Sequence, residues 1–399
     1  MPKTEGHHLK LRILVVGAGV SGVAAARGLL RDGHDVTVFD QRPNITAGGG
    51  AVTIWSNGAT VLDQLGVDMT GAGQPLSSVR VMTSTGRPLV TMDLDAMGSR
   101  LGAPIRMVPR RILLERLLAD FPVDRIQCGA RAASVIHTGD GVHVDFEDGS
   151  SAHADLLIGA DGLHSVVRDV VGAPPAKPTG WCSWQGLVTL PTLAEPRVAR
   201  MMIGEHGNLG LWPAGGTDLQ WWFDLPWSPD FLRPARPIEM IRRHFTGWSD
   251  LVDEVLAMLT DDDLAASPFP HYRHPIPDAG KGAVTLLGDA AHTMAPTLAQ
   301  GTNQALLDTM VLRTALSGSD YAEGDVCGAL RWYENTRRRK VKAVSWVTTQ
   351  QVSRSESALR PASLISDRVM TWALTRFLGW SSHRGIAAKI TGAALAEVR

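Results

Sequence analysis

Cysteine is scarce in this 399-residue chain: only Cys128, Cys182 and Cys327 are present, far apart and in no paired motif. That argues against a disulfide framework and suits a reducing compartment. Neither sign of charge is in excess. With 39 Lys and Arg against 40 Asp and Glu, the formal net charge is -1, so there is no electrostatic reason to expect nucleic acid or an anionic membrane as a partner. Long apolar runs are missing too. No stretch approaches the roughly 18 uncharged apolar residues that span a bilayer, and Met1 to Lys10 lacks the apolar core of a signal peptide. A soluble cytoplasmic protein with no transmembrane segment is expected. Internal repeats, low-complexity tracts and a convincing Ser–His–Asp or Cys–His set are also absent. His271 and His274 have no carboxylate or cysteine at metal-ligand spacing, and read as a loop pair with no metal.

What the chain does have is three glycine–carboxylate turns, in order along most of its length. The first, Gly17-Ala18-Gly19-Val20-Ser21-Gly22, follows an apolar run at 13–16 and precedes a helical run at 23–30. Gly17 permits a tight bend, Gly19 lets a diphosphate approach the backbone, and Gly22 lets helix pack on strand. The N-terminus of the helix supplies unpaired N–H groups to that diphosphate. Asp40, 21 residues after Gly19, is placed to accept hydrogen bonds from ribose hydroxyls. The pattern reads as dinucleotide binding. The second turn, Gly159-Ala160-Asp161-Gly162, follows an apolar strand and continues to Ser165 and Arg168. Asp161 either caps the helix behind it or faces a cofactor. The third, Gly288-Asp289-Ala290-Ala291-His292, is followed by Pro296 and Gln300-Gly301-Thr302-Asn303, where free N–H groups at a helix start can stabilise negative charge.

The local pattern predicts strand, turn, helix and strand over 12–40, helices over 56–66 and 110–120, and strands over 134–137 and 141–146. From 179 to 269 the texture changes. Seven of the 12 tryptophans lie there, in short segments flanked by Pro and Gly, as in an antiparallel sheet; an aromatic-lined pocket is expected. A buried strand over 283–287 and helices over 302–315 and 330–353 follow. The basic run Arg337 to Lys340 reads as a solvated helix face.

Together these segments resemble the FAD-dependent aromatic-hydroxylase class of flavoprotein monooxygenases, which have the para-hydroxybenzoate hydroxylase fold. GAGVSG, GADG with Arg168, and GDAAH with Pro296 and Gln300-Gly301 look like that family's three signatures. The resemblance implies an α/β fold: a Rossmann-like FAD-binding domain, an inserted antiparallel β-sheet substrate domain and C-terminal helices. The expected boundaries are 1–178 and 276–350 for the FAD domain, 179–275 for the substrate domain and 351–399 for the C-terminal helices. The cofactor residues it implies are Gly17, Gly19, Val20, Ser21, Gly22, Asp40, Gln41, Arg42, Gly50, Ala51, Arg110, Asp161, Gly288, Asp289, Pro296, Gln300, Gly301 and Asn303. Within the class, the middle region looks most like the tetracycline-hydroxylating resistance monooxygenases, which implies substrate contacts at Gln185, Arg200, Leu211 and Trp222. Gly48-Gly49-Gly50 resembles their flavin-proximal glycine loop.

The resemblance further implies FAD as cofactor, NAD(P)H as co-substrate, and O2 activated as a flavin C4a-hydroperoxide. This would hydroxylate a hydrophobic aromatic or polyketide-like molecule in a monomer or homodimer, with no catalytic protein nucleophile. Alternatives are another flavin oxygenation (epoxidation, Baeyer–Villiger insertion, oxidative decarboxylation) or a non-catalytic FAD protein that sequesters a ligand. A halogenase is disfavoured, since no Trp-x-Trp-x-Ile-Pro segment occurs.

Overall fold

The computed structural model describes residues 10–138, 141–317, 325–352 and 365–386. The apolar run at the start forms the strand Arg12–Val16, the central strand of a five-stranded parallel sheet. Its neighbours are Asp35–Asp40 and Leu156–Gly159, with Ile126–Cys128 and Val284–Leu286 at the two edges. Near-continuous apolar sequence suits strands covered on both faces. One cover is the helix Val20–Arg31, whose Val23 to Ala26 and Leu29 are fully buried. On the same face lies Gly301–Ser317, buried along most of its length, while the opposite face packs against the strands over 132–154. The two helices pack so closely that a Cβ on Gly28 would lie 2.5 Å from Arg313. Strands Ala132–Thr138, Gly141–Phe146 and Ser151–Ala154 make a small antiparallel sheet beside this unit.

The second unit is a seven-stranded sheet. Its order is Phe269–Arg273, Lys177–Thr189, Asp218–Pro226, Asn208–Gly215, Val198–Ile203, Ser78–Thr83 and Pro88–Asp93. All pairs are antiparallel except Val198–Ile203 with Ser78–Thr83. Two of its strands therefore come from residues 78–93, upstream of the expected boundary at 178. No local pattern marks that pairing, because it spans more than a hundred residues. The region expected to be β-rich also holds two helices, Pro237–Phe245 and Asp250–Met258. Pro237 sits at the first helical position and the Ser249 hydroxyl caps the second helix at Val252 N, 3.3 Å away. These helices bury Ile238, Ile241, Phe245, Val252, Val255 and Leu256 against the outer face of the sheet, each contributing about 1.5–3 kcal/mol.

The inner face of the sheet shares a core with the first unit. Val79, Ala199, Trp212 and Ala214 pack with Ala51, Trp55, Leu76, Ile105 and Met107, and with Leu378 of the helix Asp367–Ser381. The long helix over 330–353 is observed as Val326–Val352. Of the expected C-terminal helical region, 353–364 and 387–399 lie outside the described residues.

Candidate cofactor and ligand site

The three glycine turns touch one another. Ala160 N donates to Val16 O at 2.8 Å and Leu287 N to Gly159 O at 2.9 Å, so the ladder of the parallel sheet draws the turns into one row. A Cβ on Gly17 would lie 2.3 Å from Ala160 O, and one on Gly22 would lie 1.8 Å from Gly17 O. Gly288 meets the first turn on its other side, where a Cβ would be 2.9 Å from Ser21. Any side chain at Gly17, Gly22 or Gly288 would push the turns apart. Gly19 behaves oppositely, since a Cβ there would meet nothing within 4 Å. Gly301 is nearly as open, its nearest neighbour being Asp289 Oδ1 at 3.9 Å. Two helix N-termini, Val20 and Gly301, thus adjoin open space beside close-packed glycines, and such a cradle suits a long anionic cofactor.

Asp40 ends its strand beside this cradle. Its Oδ2 accepts from Ala18 N at 2.7 Å and its Oδ1 from Arg42 N at 2.8 Å, while the Arg42 guanidinium grips both oxygens at 2.9 Å. Burial alone would raise its pKa, but the bonds from Arg42 and Ala18 N outweigh that and hold it below the usual carboxylate range. Gln41 is exposed. Arg110 opens the helix Arg110–Leu118, and its backbone N donates to Gly50 O at 3.0 Å. Its buried Nε has no hydrogen-bond partner among the described residues. Burial lowers its pKa, with the Asp289 carboxylate opposing. An arginine in this state beside an open cradle fits an anionic group of a cofactor.

Other expected cofactor residues also bond within the protein. Asp161 is a cap: its Oδ1 accepts from Ser165 Oγ at 2.5 Å and its Oδ2 from Val166 N at 2.8 Å. Burial raises its pKa against those bonds. The Asn303 side chain accepts from Trp55 N at 2.9 Å and donates to Thr53 O and Ala299 O at 2.8 Å. It holds the strand Ala51–Ile54 against the start of the Gly301 helix rather than offering its amide to a ligand. Gln300 is fully buried, accepting from Asn57 and Gln304, and Pro296 opens the short 3-10 turn leading to it. Arg168 is 2% exposed and donates to four carbonyls, those of Pro174, Ala290, Ala291 and Pro275. It ties the second turn to the third.

Strand register sorts the expected substrate residues onto two faces, because side chains alternate and directly paired residues share a face. One row runs Gln185, Trp222, Gly210 and Met201. It lies on the inner face, toward the first unit, together with Trp212 and Leu187. The Trp222 indole lies against Gly210, where a Cβ would be 1.9 Å from the ring. The next row runs Gly186, Trp221, Leu211 and Arg200, on the outer face beneath the two helices. Arg200 and Leu211 therefore lie on the face turned away from the first unit. Leu211 is core, and Arg200 pairs with Glu195, which also holds Arg80. The tryptophans divide in the same way: Trp184, Trp221, Trp227 and Trp248 fill the outer core, while Trp212 and Trp222 face inward.

Three sets of polar residues escaped the sequence reading. Gln220, two positions before Trp222 on the inner face, accepts from Ala51 N; the alternation of that strand is the signal that reveals it. Ser183 Oγ lies 2.5 Å from Asp224 Oδ1 and 2.6 Å from His271 Nε2 in a buried line. His271 is thus in a strand and bonded, not in a loop, and His274 separately contacts Asp289 O at 2.9 Å. Burial pushes Asp224 up to about 7 and His271 down to about 4. Third, Asp308 accepts from Gly288 N at 2.9 Å, from His292 Nε2 at 2.6 Å and from Arg337 Nε at 2.6 Å. Arg337, expected on a solvated face, is 3% exposed. This cluster anchors the third turn from behind.

Such a glycine cradle, with a separate sheet packed beside its domain, is the architecture of a two-unit flavoprotein. A family described as FAD binding domain matches residues 10–347, and the chain belongs to this family of flavoprotein monooxygenases. It is 31% identical to an FAD-dependent urate hydroxylase of Klebsiella pneumoniae over 339 residues, covering 83% of this chain and 87% of that one. It is 32% identical to the 3-amino-4-hydroxybenzoate 2-monooxygenase PtmB3 of Streptomyces platensis over 351 residues, covering 84% and 85%. Among solved structures it resembles Klebsiella pneumoniae HpxO complexed with FAD and uric acid, with a TM-score of 0.83 and 26% identity over 94% of this chain and 98% of that one. The tetracycline destructase Tet(55) shares the fold at a TM-score of 0.71 and 20% identity, covering 94% of this chain and 98% of its own.

Proposed function

We propose that this protein hydroxylates a small, hydrophobic aromatic or polycyclic molecule with FAD, NAD(P)H and O2. The observation that carries the cofactor half is the mutual contact of the three glycine turns, with Gly19 left open beside a helix N-terminus. Gly17, Gly19, Val20, Ser21, Gly22 and Asp40 would hold the nucleotide half of FAD. Arg110, Gly288, Asp289 and Gly301 would hold the diphosphate and flavin half, with Gly50 and Ala51 near the ring. Bound FAD supplies the electron transfer and oxygen activation that no side chain here can perform. The protein orients the ligand and excludes water. The ligand wall in this reading is the inner row of Gln185, Met201 and Trp222, without Arg200 and Leu211. Relatives named for urate and for an aminohydroxybenzoate support a small aromatic substrate. We further read the first and third segments as one FAD-binding domain, and residues 78–93 as part of the substrate domain.

The test is purification followed by absorption spectroscopy and a screen. Yellow protein that consumes NAD(P)H and yields one oxygenated product per nucleotide with a panel of aromatic compounds is expected. Colourless protein that takes up no FAD would refute the proposal. Flavin uptake without product would favour the ligand-sequestering alternative.

A further inference from the structure

Beside the core that the two units share, a buried amide bridges them outside the three turns. Gln220 lies in the strand Asp218–Pro226 and is 1% exposed. Its Oε1 accepts from Ala51 N at 2.5 Å, and its Nε2 donates to Trp221 O at 3.0 Å. One end of the amide is bonded to the glycine loop and the other to its own strand. Gly50 has a φ of +90°, and a Cβ there would lie 3.1 Å from Gln220 Oε1, so loop and side chain are in close contact. Gly50 O in turn receives Arg110 N, and Ala51 pairs with Pro109. On the ligand side, Gln220 is paired with Trp212, whose ring lies 5.7 Å from that of Trp222. A continuous line of bonded or packed groups thus runs from Trp222 to Arg110.

We propose that Gln220 is a positioning residue that fixes the glycine loop to the ligand-facing sheet, so that a ligand seated against Trp222 acts on the loop and Arg110 beside the cofactor. This rests on the reading of the inner row as ligand wall and Arg110 as cofactor-facing. The amide is suited to the task because both its ends are bonded and it is shielded from water. Replacing it with an aliphatic side chain would leave the Ala51 N–H buried without an acceptor.

Gln220→Leu and Gln220→Glu in the full-length protein test the idea; Glu keeps an acceptor for Ala51 N. Amide hydrogen exchange of a peptide covering 44–55 reads the bond directly. In Gln220→Leu that peptide is expected to exchange about tenfold faster or more, while one covering 301–317 is unchanged. In Gln220→Glu protection returns. The second readout is the visible absorption and fluorescence of bound FAD, with urate and 3-amino-4-hydroxybenzoate as probes. Gln220→Leu should lose any spectral change these produce in the wild type, and Gln220→Glu should regain it. Unchanged exchange at 44–55, or acceleration spread evenly over the chain, would overturn the proposal. So would a loosened loop with an intact spectral response. Wild-type protein that binds no FAD would sink the proposed function instead, while the exchange arm would still report on the bond.

Discussion

Asp308→Asn should destabilise this protein far more than its conservative shape suggests. The carboxylate is fully buried and accepts from Gly288 N, His292 and Arg337 at once. Burial would raise its pKa, but His292 and Arg337 outweigh that and bring it down to about 2. Against an unfolded value near 3.9, that shift amounts to about 2–3 kcal/mol, present above pH 4 and lost as pH falls toward 2. Mutation costs more than protonation at low pH, because at pH 7 it leaves the Arg337 charge buried without a counter-ion. Breaking such a pair by one partner typically costs about 3–5 kcal/mol. Unfolding entropy near 2 cal/mol/K per residue makes each kcal/mol worth about 1 °C in a chain this long, so Tm should fall by roughly 4–6 °C. Thermal melting at pH 7 by circular dichroism, with and without added FAD, is the assay. FAD should recover less of the loss than in the wild type, since the bond to the third turn is weakened. The double variant D308N/R337Q should melt higher than the sum of the single losses implies. A single variant melting within 1 °C of wild type would refute the reasoning.

Two further outcomes follow from the sheet. In the Ser183–Asp224–His271 line the linkages oppose. Asp224, raised to about 7, contributes stability that is lost as pH rises from about 4 to 7. His271, lowered to about 4, contributes stability that is lost as pH falls from about 6.5 to 4. These nearly cancel in the wild type, so Asp224→Asn should steepen the loss of stability on acidification by about 1 kcal/mol per pH unit between 6.5 and 4.5. Denaturation curves at those two pH values check this, and parallel behaviour of variant and wild type would contradict it. Arg200→Ala removes a partly exposed ion pair on the outer face. It should cost at most about 1 kcal/mol and keep the ligand response that Trp222→Ala loses; a selective loss of ligand affinity in Arg200→Ala would mean the inner row is not the wall.

The nucleotide-binding half was legible because its determinants are local. A strand, three glycines, a helix and a carboxylate within 30 residues leave little choice of geometry. The alternative use of Asp161, ordering its own turn, was also open from the sequence, and its carboxylate holds Ser165, the N-cap of the helix that follows. What stayed hidden depends on partners far along the chain. Arg337 looks solvated within its own basic run, and only the packing of two helices brings it to Asp308. The face taken by Arg200 and Leu211 is set by strand register, which a likeness of a few residues does not reveal. Strands 78–83 and 88–93 carry no mark of the sheet they join, because pairing is decided by the partner.

The split origin of the two sheets also bears on how the chain is made. Leu156–Gly159 is edged by Val284–Leu286, and Val198–Ile203 by Ser78–Thr83, so neither sheet can close until its counterpart from the other half has been synthesised. A nascent chain halted near 178 would carry an uncovered parallel edge and, over 78–93, a two-stranded hairpin with one open edge, both prone to self-association. Such high contact order favours slow, whole-chain folding. Excised pieces of this enzyme should therefore aggregate rather than fold, and homologous shuffling should succeed only when 78–93 travels with 177–273.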